Sequence, residues 1–160
     1  MQKFPEINRF VAIRTMAEDK NGDLWLSTQE KGLYFLDLKR KKVIEFSERG
    51  IPPYRILSDN IFSVAIDVNN EVWVAGDNGL NRIDIANNKN TPYVHNPKNP
   101  NSLSHKFANY IFEDDRKNLW VSTDGGGINL YDRKTDGFIK FNHNKDDENS
   151  LLGDKNQFNL

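Results

Sequence analysis

The chain has 160 residues, 22 Lys and Arg against 23 Asp and Glu, three His, no Cys and 37% apolar residues. A net charge of −1 with both signs scattered excludes a surface built to neutralise a polyphosphate, because such affinity comes from clustered Lys and Arg; nucleic acid is therefore not an expected partner. Without Cys there are no disulfides, Cys-ligated zinc or thiol nucleophiles, and no apolar run approaches the ~18–20 residues that span a bilayer, so no membrane span is expected in this segment.

Asn is over-represented, with 21 copies gathered with Asp, Gly, Lys and Pro in runs such as Asn87 to Asn90 and Asn96 to Asn101. These are turn formers, since Asn tolerates positive φ and bonds its own backbone. Many turns between short apolar segments predict an all-β chain.

Trp25, Trp73 and Trp120 are separated by 48 and 47 residues, and each follows an Asp by six positions: Asp19, Asp67 and Asp114. Downstream come Gly32-Leu33, Gly79-Leu80 and Gly127-Ile128, then Asp37, Asp84 and Asp132, then Phe46, Tyr93 and Phe141. The stretch from His95 through Leu103 returns 48 positions later as His143 through Leu151. The chain is therefore a tandem repeat.

Within the first copy, Val11 to Ala17 reads as a strand and Asn21-Gly22 as a type I′ hairpin turn. Leu24 to Thr28 follows, then a turn at Gly32, Leu33 to Leu38, a turn at Lys39 to Lys42, and Val43 to Phe46. Leu24-Trp25-Leu26 and Val72-Trp73-Val74 are apolar without alternation, which marks strands buried on both faces. Four-stranded antiparallel units recurring every ~40–50 residues fit the blades of a β-propeller. The expected division is a lead-in at 1–10 from a preceding blade, blade 1 at 11–47, blade 2 at 57–94, blade 3 at 103–142, and the first strand of an incomplete blade 4 at 151–160. Three blades and a start fall short of the 4 to 8 that close a ring. The expectation is an incomplete propeller whose remaining blades come from a parent chain or from self-assembly.

The frame from Asp19 through Gly22, Leu24-Trp25-Leu26-Ser27-Thr28 and Gly32-Leu33, and the run from Leu119 to Asp132, resemble the two-component regulator propeller repeat. The connector Asn101-Ser102-Leu103-Ser104-His105 leading to Ile111-Phe112-Glu113-Asp114 is similar to that family's inter-blade segment. Copy two departs, with Ala75-Gly76 where the others have Ser-Thr, and the turn Gly22 is replaced by Asn70 and Lys117. The resemblance implies the periplasmic, ligand-sensing part of a hybrid two-component sensor histidine kinase and response regulator, its parent anchored in the inner membrane of Bacteroides-type bacteria. The implied ligands are oligosaccharides released from complex glycans, and the implied role is noncatalytic. The alternatives are part of a propeller enzyme acting on polysaccharide, a glycoside hydrolase or lyase, or a protein-interaction propeller. Sialidase-type Asp boxes place the aromatic five residues after Asp, not six, and the Trp-Asp dipeptide of WD repeats is absent.

The repeated Asp is read as a turn residue accepting backbone N–H bonds rather than a catalytic carboxylate, and the repeated Trp as inter-blade core. His95 and His143 belong to a repeated connector, so no metal site is expected, nor any cofactor. Gly125-Gly126-Gly127 lacks the following helix and Lys of a phosphate loop and reads as a β-turn. Ligand contacts are expected where the copies differ, on the face holding the turn after each second strand and the connector into the next blade. The candidates are Gln29, Glu30, Asp77, Asn78 and Asp124 from the turns, and Tyr54, Arg55, Ser58, Asp59, Asn60, His105 and Lys106 from the connectors. Their carboxylates, amides and aromatic ring suit sugar hydroxyls and an apolar sugar face.

Overall fold

The structure is a computed structural model in which residues 11–151 are described. The expected lead-in at 1–10, and all of the expected fourth-blade strand but Leu151, lie outside them. Among the described residues, twelve strands form three antiparallel four-stranded sheets, each a simple meander. The first holds β1 (Ile13–Glu18), β2 (Leu24–Thr28), β3 (Leu33–Asp37) and β4 (Lys42–Phe46). The second holds β5 (Ile61–Ile66), β6 (Val72–Gly76), β7 (Gly79–Asp84) and β8 (Lys89–Tyr93). The third holds β9 (Ala108–Glu113), β10 (Leu119–Thr123), β11 (Gly127–Asp132) and β12 (Gly137–Phe141). The three sheets are propeller blades, with the inner strands β1, β5 and β9 adjoining one another in turn. Among the described residues no helix is long and apolar enough to cross a membrane.

The first turn of each blade explains the spacing of six between Asp and Trp. Asp19 Oδ1 accepts the N–H groups of Asn21 and Asp23 at 2.8 and 3.1 Å, while Oδ2 accepts the Trp25 indole N–H at 3.3 Å. Asp67 does the same for Asn69, Glu71 and Trp73, and Asp114 for Arg116, Asn118 and Trp120. One carboxylate thus folds the turn and fixes the ring that enters the next interface. The turn is not the expected type I′: only Gly22 has positive φ, 83°, and Asp19 and Asp23 pair around a three-residue loop. That geometry is a type I turn closed by one left-handed residue, because the carboxylate bonds to Asn21 select it. Asn70 and Lys117 take the same conformation, with φ of 65° and 66°.

Among the described residues the Trp faces of blades 1 and 2 pack on the next blade. Trp25 lies 4.5 Å from Phe35 and 5.5 Å from Phe46 between ring centroids, in one core with Ile61, Val64, Val72, Val74 and Ile83 of blade 2. Trp73 enters a second core with Ile111, Leu119, Val121 and Tyr131 of blade 3. Burial of such rings, at ~25 cal/mol per Å² of apolar surface, is the main force joining blades. Hydroxyl bonds set the register: Val64 N–H donates to Thr15 Oγ1 at 3.2 Å, and Ile111 N–H to Ser63 Oγ at 3.3 Å.

The second interface carries polar reinforcement. The Arg82 guanidinium lies over Trp73, Tyr93 and Tyr131, 3.3 Å from Asp136 Oδ1, which also accepts the hydroxyls of Tyr93 and Tyr131. Burial first, then the Asp136 carboxylate, pushes the Tyr93 hydroxyl far above its usual range.

The glycine after each second strand meets the outer strand's last carbonyl. A Cβ at Gly32 would lie 2.1 Å from the Phe46 oxygen, and one at Gly79 2.4 Å from that of Tyr93. Only glycine allows this approach.

Candidate ligand-binding face

Two local features build one end of the array. Each inner strand has a bulge where it pairs with the end of its neighbour, leaving Arg14, Phe62 and Asn109 as extra residues. The following turns are tied to the connectors: Gln29 N–H donates to Ala12 O at 2.9 Å, Gly32 N–H to Asp59 O at 2.8 Å, and Asp124 N–H to Phe107 O at 3.0 Å. Turns, connectors and bulges therefore share one face.

At one corner of it is a cluster between the connector before blade 2 and the β6–β7 turn. Ser58 Oγ donates to Asp77 Oδ1 at 2.5 Å, and Asn60 Nδ2 donates to Asp77 Oδ2 at 3.2 Å. Asn60 N–H donates to Ser58 Oγ at 2.9 Å, closing the group. Ser58 is buried while Asp77 and Asn60 are half-buried. With its amide nitrogen committed to Asp77, Asn60 turns its oxygen inward, where Oδ1 is solvent-excluded and has no donor among the described residues. Such an orphaned acceptor costs about 1–3 kcal/mol. Beside it, the Arg14 guanidinium lies 4.8 Å from the centre of the Phe62 ring.

Asn78 joins this cluster through a 3.4 Å bond from Nδ2 to Leu57 O. Asp59 is paired reciprocally with Glu48: Glu48 N–H donates to Asp59 Oδ1 at 2.8 Å, and Asp59 N–H to Glu48 Oε1 at 3.1 Å. His105, the repeat equivalent of Ser58, accepts Phe107 N–H through Nδ1 at 3.3 Å, with Lys106 over the Phe107 ring and Asp124 exposed alongside. Gln29 and Glu30 are exposed on the blade 1 turn. These form three separate corners of one face, and of these candidates Ser58, Asn60 and Asp77 have their side chains joined by direct bonds.

Tyr54 and Arg55 lie elsewhere. The Tyr54 ring packs edge-on against Phe46, 5.4 Å away, at the margin of the first core. Arg55 lines an open groove of about 580 Å³ with Pro52, Pro53, Lys89, Asn90 and Pro92 at the outer edge of blade 2. The connector runs outward before it returns, because Asn90 Nδ2 holds the carbonyls of Pro53 and Arg55 at 3.1 and 2.7 Å.

The bulge residues Arg14, Phe62 and Asn109 were not among the sequence candidates. They stand five positions before the repeated Asp in each copy and differ in all three. The same criterion of divergence, applied to strands as well as loops, identifies them.

His95 Nδ1 donates to the Leu103 carbonyl at 2.8 Å, and Ser102 Oγ accepts Asn96 N–H at 3.0 Å. His143 and Ser150 repeat these bonds on Leu151 and Asn144, so both histidines close connectors. Among the described residues no three His, Asp or Glu side chains gather as a metal site.

The family model described as two component regulator propeller matches residues 9–30 and 102–125, so the chain carries that repeat at the start of blades 1 and 3. The structure is similar to the extracellular domain of BT3049 from B. thetaiotaomicron, described as a hybrid two component system, with 26% identity and a TM-score of 0.75. The match covers 90% of this chain and 20% of that one. It is similar also to the extracellular domain of BT4673 from the same organism, described as a one component system, with 27% identity, a TM-score of 0.62, and coverage of 79% and 17%. A virginiamycin B lyase from Staphylococcus aureus shares the fold at 14% identity and a TM-score of 0.64, over 88% of this chain and 44% of the lyase. The chain thus spans about a fifth of the length of the first two structures. No curated protein matches it.

Proposed function

We propose that this chain is a noncatalytic, extracytoplasmic ligand-sensing part of a two-component signalling protein, and that its ligand is a small oligosaccharide taken up on the face bearing Ser58, Asn60 and Asp77. The likeness to extracellular domains of signalling systems supports the sensing role and the periplasmic placement. The observation that carries the site is the bonded group of Ser58, Asp77 and Asn60, which fixes a half-buried carboxylate and amide next to the Phe62 bulge. Sugar hydroxyls donate to such acceptors, and an aromatic ring takes the apolar side of the sugar. Both Asp77 oxygens already accept hydrogen bonds, which suits a positioning carboxylate rather than a nucleophile.

Calorimetry of the chain against a panel of neutral and uronic-acid oligosaccharides, beside an assay for reducing-end release, tests this. Binding without turnover, weakened about tenfold or more by Asn60→Ala and by Phe62→Ala, is the expected result. Turnover abolished by changing an acidic residue would establish an enzyme instead.

A further inference from the structure

We propose that the groove between the first connector and the outer edge of blade 2 takes an extended acidic peptide segment of a partner protein, laid along β8. The groove holds about 580 Å³, a size typical of ligand sites, and both blades that flank it are described. Its walls are Pro52 and Pro53 of the connector and Lys89, Asn90 and Pro92 of β8. Arg55 also lines it, and no Asp or Glu does. Arg55 and Lys89 are exposed, and neither forms a salt bridge among the described residues.

The next junction shows why this groove is open and what fits it. There the second connector lies directly on β12: Phe138 N–H donates to Asn101 O at 2.8 Å, and Phe138 is buried. A Cβ at Gly137 would lie 3.0 Å from both Cβ and O of Asn101, so the connector comes this near because the strand has no side chain there. In blade 2 the same two positions are Lys89 and Asn90. Lys89 pairs with Asp84 and Asn90 with Ile83, as Gly137 pairs with Asp132 and Phe138 with Tyr131. The lysine keeps the first connector off the strand, and the Asn90 amide holds it at a distance through the carbonyls of Pro53 and Arg55. A backbone closes this edge in blade 3, and in blade 2 the same edge is left for another backbone.

The edge carries the groups a strand would use. Pro92 has no N–H, so its pair with Asn81 is not one that exchanges hydrogen bonds, and by alternation neither is the pair of Asn90 with Ile83. The N–H and C=O of Asn90 therefore point out of the sheet, as the N–H of Phe138 does, and among the described residues nothing outside the sheet accepts the Asn90 N–H. An added strand exchanges both bonds with Asn90, and Pro92 ends the pairing. The two cations are the only charges lining the groove, which selects acidic side chains on that strand.

Fluorescence anisotropy of the whole chain with a labelled, end-blocked seven-residue peptide alternating Thr and Glu tests this. Saturable binding is expected, weakened about threefold or more by Arg55→Ala and by Lys89→Ala. Lys98→Ala, which removes an exposed cation from the second connector, should leave it unchanged. The Asn90 amide proton should exchange more slowly with peptide bound. Of two peptides N-methylated at alternate nitrogens, in opposite phase, one should fail to bind. No saturable binding, equal binding of both N-methylated peptides, or trigalacturonate bound with the same dependence on Arg55 and Lys89 would each overturn the proposal. Asn60→Ala and Phe62→Ala, the variants that report sugar binding on the loop face, should leave peptide binding unchanged, so either proposal can fail without the other.

Discussion

Arg133 Nη1 lies 2.9 Å from Asp67 Oδ2, joining blade 3 to the carboxylate that folds the first turn of blade 2. The Asp67 side chain is fully buried, and Arg133 Nη2 also reaches Glu113 Oε2 at 3.0 Å. Removing this cation leaves two acids of one sign facing each other across the interface.

Arg133→Met is therefore expected to destabilise the protein by about 1–3 kcal/mol, the range for a buried charge that loses a hydrogen-bonded partner. Urea denaturation checks this, and Arg40→Met, which removes a largely exposed guanidinium from the Asp37 carboxylate, is the control expected to cost less than about 1 kcal/mol.

Lys117 holds a left-handed conformation, φ 66°, where blade 1 has Gly22. Lys117→Gly should raise stability by about 0.5–1 kcal/mol, since relief of the Cβ clash exceeds the backbone entropy cost. Asn70→Gly should gain less, because Asn tolerates this region. Thermal midpoints of the two variants decide the order.

Gly79, at φ 123°, should not accept alanine. The added Cβ would lie 2.4 Å from the Tyr93 oxygen, so the outer strand must move. A loss of at least about 2 kcal/mol is expected, with faster amide exchange along β8, measured by mass spectrometry.

The Asp114 carboxyl is held down to a pKa of about 2, first by the Trp120 indole N–H and then by Asn118. A depressed acid stabilises the fold above its unfolded pKa of about 3.9 and loses that contribution as pH falls toward 2. The Trp120 indole proton resonance should shift across this window, and Asp114→Asn should abolish the titration. A flat resonance from pH 5 to 2 would contradict the assignment.

The blades were legible because they repeat. Trp25, Trp73 and Trp120, each behind its Asp, recur at a period that suits a short four-stranded unit, and Gly32, Gly79 and Gly127 mark the same turn each time. The turn type was not legible. Asn21-Gly22 has the letters of a type I′ hairpin, but the Asp19 carboxylate, whose bonds depend on folded geometry, selects another conformation. Reading divergence between copies led to Ser58, Asn60 and Asp77, because these loops are free to vary once the strands have fixed the blade. It also led to Tyr54 and Arg55, which the outward path of the connector carries away.

The sequence by itself determined the number of blades described here, their strand order and the chemical types on the loop face, since periodicity and turn chemistry are local properties. Tertiary structure decided which candidates meet, through bulges that no spacing announces and bonds such as Ser58 to Asp77 across 19 positions. It also decided which tryptophans are core: Trp25 and Trp73 are buried by a following blade, whereas Trp120, alike in sequence, lies on a face whose neighbours are partly exposed. Burial belongs to whatever packs opposite a residue, and equivalent positions of a repeat differ in it.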